Sequence, residues 1–134
     1  MKILVIDGMG GGIGKAVIEH IRSENTDVEI IAVGTNSMAT SVMLKAGANH
    51  AATGENAVRV NCAKADCIIG AMGIVITNSM YGEISPKIAK AVSSSSAHKI
   101  LVPKCKCGVT VLGLEDKPIQ AYIGEINETL KRII

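Results

Sequence analysis

The chain opens with Met1-Lys2 and a short apolar run, Ile3 to Ile6, that ends at Asp7 and passes directly into Gly8-Met9-Gly10-Gly11-Gly12-Ile13-Gly14. A strand, a glycine-rich turn and a helix in that order leave few folds open. Glycine suits such a turn because the backbone must reverse with positive φ and approach a bound phosphate closely, while the amides of the next helix point at the anion. The opening therefore points to a nucleotide. Gly8, Gly10, Gly11, Gly12, Ile13 and Gly14 are the expected contacts, with Lys15 placed to hold a phosphate as a point charge.

The rest of the chain alternates strand-like and helix-like segments. A helix carries Ile13, Ala16, Val17 and Ile21 on one face and breaks at Ser23, Asn25 and Thr26. Val28 to Val33 is a second strand, ending at Gly34-Thr35-Asn36-Ser37. Ser37 is the expected N-cap of a helix facing inward through Ala39, Val42, Met43 and Ala46 and stopped by Gly47. Asn49–Ala52 reads as a short strand, and Glu55–Lys64 as a helix. Cys67–Ile76 reads as a strand, a turn at Gly70–Gly73 and a helix start. Ser85-Pro86 opens a further helix that fades in Ser93–Ser96. Lys99–Val102 and Val109–Leu114 are the expected last strands. One final helix from Pro118 carries the stripe Ile119, Tyr122, Ile123, Ile126, Leu130 and Ile133.

Such alternation implies βαβ units. The expected fold is a single α/β domain over residues 1–134, Rossmann-like and three-layered, with a mostly parallel sheet. The core must be aliphatic, because the chain has two tyrosines and no phenylalanine or tryptophan although 48% of its residues are hydrophobic. Ligands of such sheets bind beyond the carboxyl ends of the strands. Those ends carry Asp7-Gly8, Thr35-Asn36, Thr53-Gly54, Gly70–Gly73 and Pro103-Lys104.

A net charge of +2 with dispersed lysines, and no stacking aromatics, argues against a nucleic-acid partner. The apolar start is too short for a secretory signal, and no segment approaches about 20 apolar residues. The chain reads as cytoplasmic, with no membrane partner, and Cys62, Cys67, Cys105 and Cys107 are expected to stay thiols. His98 with Cys105 and Cys107 lacks the spacing and fourth ligand of a structural zinc site, so no metal is expected there. Asp7 is read as accepting loop amides, with magnesium as the alternative. His20 and His50 have no nucleophile beside them. Glu55 and Glu83 are read as solvated acids at helix starts rather than an acid–base pair. Thr35-Asn36-Ser37-Met38 recurs as Thr77-Asn78-Ser79-Met80. The repeat reads as two ordinary N-caps or, in a functional reading, as two helix N-termini facing one ligand.

The glycines fit GxxxGxG through Gly8, Gly12 and Gly14, which resembles the cofactor loop of the short-chain dehydrogenase/reductase family. The resemblance implies a dinucleotide whose phosphates approach the middle glycines and whose adenosine ribose lies at the end of the second strand, at Thr35, Asn36 and Ser37. It stops near residue 36. Those enzymes pair a tyrosine with a lysine four positions on, whereas here Tyr81 is followed by Ser85 and Tyr122 by Ile126. No acid or arginine stands at the second strand's end, so NADP is expected to bind as well as NAD or modestly better. Along nearly its full length the chain is similar to a family of short bacterial proteins, common in anaerobic Gram-positive species, defined only as a domain of unknown function. The stretches that carry this are Val5-Ile6-Asp7-Gly8, Gly10 to Lys15, Gly34-Thr35-Asn36, Ala46 to Asn49, Thr53 to Asn56 and Asn78-Ser79-Met80. The expected function is binding a nucleotide without evident catalytic machinery. The alternatives are a small enzyme using the same cleft, or an assembly or regulatory module whose glycine loop is structural. The stripe of the last helix is the expected homodimer interface.

Overall fold

The structure, a computed structural model, describes residues 1–25, 27–104 and 107–133. Five strands, β1 (Lys2–Asp7), β2 (Glu29–Gly34), β3 (His50–Thr53), β4 (Cys67–Ala71) and β5 (His98–Val102), form one parallel sheet in the order β3-β2-β1-β4-β5. Among the described residues six α-helices and a short 3-10 helix at Met72–Val75 connect or follow them: α1 (Gly12–Glu24), α2 (Ser37–Ala46), α3 (Glu55–Cys62), α4 (Pro86–Ser94), α5 (Ile119–Ile123) and α6 (Ile126–Ile133).

The side-chain alternation of β1 divides the core. Ile3 and Val5 face α1, α2, α5 and α6, where they meet Val17, Ile18, Ile21, Met43, Ile123, Ile126 and Leu130. Leu4 and Ile6 face α3 and α4, meeting Val58, Ile68, Ile84, Ile88 and Val92. All of these are almost fully buried, and β1 is covered on both faces as a central parallel strand should be. The fold is the three-layer Rossmann-like α/β arrangement. Because β1 leads through α1 to β2 on one side, while β4 and β5 lie on the other, the strand order reverses between β1 and β4. A crevice opens at such a point.

Four expectations need correction. Asn36, not Ser37, caps α2: its backbone is extended and its Oδ1 accepts the Ala39 amide at 2.9 Å. The last helix is two helices, interrupted at Gly124, where glycine weakens a helix by about 1 kcal/mol. Val109–Leu114 forms no strand. Its extended run is broken by a turn in which Gly113 takes φ +83° and the Leu114 amide bonds to the Val111 carbonyl. The stripe Ile123, Ile126 and Leu130 is not a free surface, because it closes the core over α1 and is 2–3% exposed.

Cys62 and Cys67 are buried free thiols, but Cys107 is disulfide-bonded, so the expectation of four thiols fails there; Cys105 and Lys106 lie outside the described residues, as do Thr26 and Ile134. Among the described residues no helix is long and apolar enough to cross a membrane.

Candidate functional site

The β1–α1 loop is built by its own hydrogen bonds. The Gly11 amide donates to the Gly8 carbonyl at 2.9 Å, and Gly11, at φ +76°, turns the chain into α1 where a Cβ would stand 2.9 Å from the Ala39 backbone. Asp7 fixes the loop from beneath. Its Oδ1 accepts the Gly8 amide at 2.8 Å and its Oδ2 the Gly14 amide at 2.7 Å, which is the capping role read from the sequence. Burial raises the Asp7 pKa, and the nearby Glu83 charge adds to that, against the lowering effect of the Gly14, Gly8 and Ile13 amides.

A cleft of about 630 Å3 lies between this loop and the end of β4. Asp7, Gly8, Met9, Gly10, Gly11, Gly12 and Ile13 form one wall. The other is Ala71, Gly73 and the 76–81 segment, with Lys104 and Cys107 from beyond β5. Gly8, Gly10, Gly11, Gly12 and Ile13 are thus brought together as expected. Gly14 is buried under Met43 instead, and Lys15 sits exposed on α1 outside the cleft lining. Among the described residues the cation at the cleft is Lys104, which the Pro103-Lys104 strand end could have supplied to a sequence reading.

Gly10 and Gly12 differ from the other loop glycines. Neither has positive φ, and a Cβ on either would meet no atom within 4 Å. By contrast, a Cβ at Gly8 would stand 2.6 Å from Thr35 Oγ1, and one at Gly14 2.9 Å from Met43 Cγ. Backbone strain collects at the same place. Among the described residues the non-glycine residues with positive φ are Met9, Asn78, Met80 and Tyr81, and all four line the cleft.

Thr35 and Asn36 do not line it. Glu83, carried in by the loop that follows β4, accepts from Thr35 Oγ1 at 2.5 Å, Asn36 Nδ2 at 2.9 Å and the Met9 amide at 3.0 Å, all through Oε1. Asn36 Nδ2 also reaches the Met9 carbonyl. Ser37 is exposed in the first turn of α2. The edge read as neutral therefore carries a carboxylate. Partial burial works to raise its pKa, but the bonds from Thr35, Met9 and Asn36 outweigh this and hold it below the usual value. The sequence placed Glu83 among solvated acids, and only the long-range folding of its loop reveals the contact. Glu55 does not join it, being bonded to Ser85 Oγ at 2.6 Å.

The repeated tetrapeptide is not repeated in structure. Asn36 in the first copy caps a helix, whereas Asn78 and Met80 in the second, with Tyr81 just after it, are left-handed residues of a tight turn, closed by the Asn78 amide on the Ile84 carbonyl at 2.7 Å. Among the described residues no three His, Cys, Asp or Glu side chains gather as a metal would require.

Fold and cleft together define a Rossmann-like α/β protein with its opening at the strand-order reversal. Residues 2–134 match the model of the family described as Domain of unknown function (DUF3842), and the chain belongs to that family. No curated protein matches it. Among solved structures it is similar to the dodecameric FMN-dependent Ubix-like decarboxylase from Escherichia coli O157:H7, at 17% identity and a TM-score of 0.48 over 99% of this chain and 76% of that one.

Proposed function

We propose that this protein binds a nucleotide in the cleft between β1 and β4, with the phosphate against Gly10–Ile13. The observation that carries this is the pair Gly10 and Gly12, whose lack of a side chain is required by neither conformation nor packing. Glycine is the residue that lets a ligand come close to the backbone, and a surface left bare where neither φ nor packing asks for it suits a phosphate. The start of α1 favours an anion, and Lys104 offers a charge across the cleft. NAD and NADP both meet the phosphate requirement. The Thr35–Ser37 edge supports neither, because its Thr35 and Asn36 donors are committed to Glu83.

One observation favours a small enzyme as the second reading: Asp7 is buried at the cleft with a raised pKa, as proton-carrying carboxylates often are. A homodimer is proposed alongside either reading. Its exposed apolar surface would be Val109, Val111, Leu112 and Leu114 rather than the C-terminal stripe. Light scattering that gives a monomer mass throughout the micromolar range rejects the dimer.

The nucleotide reading is tested by denaturing the purified protein and identifying any released ligand by mass spectrometry, then titrating that compound calorimetrically. Unchanged affinity in Gly12→Val would show that the loop is structural.

A further inference from the structure

We infer that the ligand is a mononucleotide and that Glu83 is the residue that excludes the second half of a dinucleotide. This rests on the nucleotide reading of the cleft. In open sheets of this strand order a dinucleotide crosses the loop after β1 and lays its adenosine ribose along the groove between β1 and β2, against the end of β2. Here the chain itself fills that groove. Glu83 Oε1 lies 3.0 Å from the position of a Cβ on Gly8 and is bonded to Thr35 and Asn36 at the end of β2.

Glu83 then ties three segments together, the β1–α1 loop through Met9, the end of β2 through Thr35 and Asn36, and its own turn. A ribose at the β2 end would have to break these bonds to reach a side-chain donor, and a 2′-phosphate would in addition meet a carboxylate held in its charged form. The opposite groove, between β1 and β4, is the open one. Phosphate and one ring system therefore fit on a single side of the loop.

The test compares AMP, NMN and FMN with NAD and FAD by calorimetry on the unmodified protein at one ionic strength. ADP is included to separate the charge of a pyrophosphate from the bulk of a second nucleoside. The expected result is that at least one mononucleotide binds tenfold or more tighter than the dinucleotide containing it, with ADP closer to AMP than to NAD. A dinucleotide that binds as tightly as its halves, or tighter, overturns the inference while leaving the cleft as a nucleotide site. If that advantage is then lost in Glu83→Ala, the carboxylate holds the ribose instead of excluding it. Failure of all six compounds to bind would remove the nucleotide reading, and the inference with it.

Discussion

Asp7 Oδ2 accepts the Gly14 amide at 2.7 Å, so the last residue of β1 and the first turn of α1 are clamped by a single carboxylate. The clamp occupies one of the amides that an incoming anion would otherwise use. It leaves the Gly10–Gly12 backbone facing the cleft.

The glycines of one loop should separate under mutation. Gly12→Val is expected to fold with little change in stability, since Gly12 is the first residue of α1, has no positive φ, and a Cβ there meets no atom within 4 Å. Ligand affinity should drop at least tenfold. Gly14→Val should lose several kcal/mol, because its Cβ would overlap Met43 and stand 3.0 Å from Asp7 Cβ. Urea denaturation with calorimetry distinguishes the two, and equal stability losses would refute the distinction.

Asp7 and Glu83 should make opposite contributions to acid stability. The Asp7 pKa is raised above 3.8 in the fold, so the folded state holds that proton more firmly, and stability from this group falls as pH rises from about 3.8 through the raised value. Glu83 is lowered from 4.5, so its contribution is complete above that value and is lost as pH falls through the lowered one. The stability difference between the parent and Asp7→Asn should therefore shrink with rising pH, while that between the parent and Glu83→Gln should grow. Denaturation curves between pH 3 and 7 check both signs. Because Glu83 is partly exposed, its total loss should be only about 1 kcal/mol.

Burial pushes the Cys62 thiol up to about 11 despite Lys99, and pushes Cys67 to about 12 with Asp66 adding to the effect. Thiolate is the reactive form. Iodoacetamide at pH 8 should leave both unmodified in the folded protein and label both in denaturant, read by mass spectrometry of the peptides that contain them. Rapid labelling of Cys67 in the native protein would contradict its burial.

Ile126→Lys should unfold the chain rather than disperse a dimer. Ile126, the first residue of α6, is 2% exposed and belongs to the core cluster that includes Val17, Ile18 and Ile21 of α1. Placing a charge there costs about 3 kcal/mol or more. A variant that stays folded and merely changes its mass in light scattering would return this stripe to the surface.

What the sequence made legible was local. Apolar runs located β1, β2 and β5, the first half of the ten-residue run Cys67–Ile76 located β4, the short Asn49–Ala52 stretch before Thr53-Gly54 located β3, and Ser85-Pro86 located α4. The Gly8–Gly14 loop located the cleft wall because its geometry depends on near neighbours. The Glu83 contacts with Thr35 and Asn36 span 48 and 47 positions. No period or spacing encodes them, and they changed the meaning of the residues read as a ribose site. The 109–114 run misled for a related reason: its β-branched and leucine residues match a strand, but a strand also needs a partner edge, and Gly113 at φ +83° turns this run out of extended geometry.

Met80 and Tyr81 stand side by side at φ +56°, a conformation that costs an L-residue about 1–2 kcal/mol and glycine almost nothing. Glycine would forfeit about 0.4–1 kcal/mol through the greater freedom of its unfolded chain. At the exposed Tyr81 the balance favours glycine by up to about 1 kcal/mol, whereas Met80 also packs against the core that includes Leu4, Ile6 and Ile84. Folding stability alone therefore gives no reason for a phenol at this lip. On the proposed nucleotide reading, Tyr81, 95% exposed, holds nearly its whole side chain where a ligand entering the cleft would meet it.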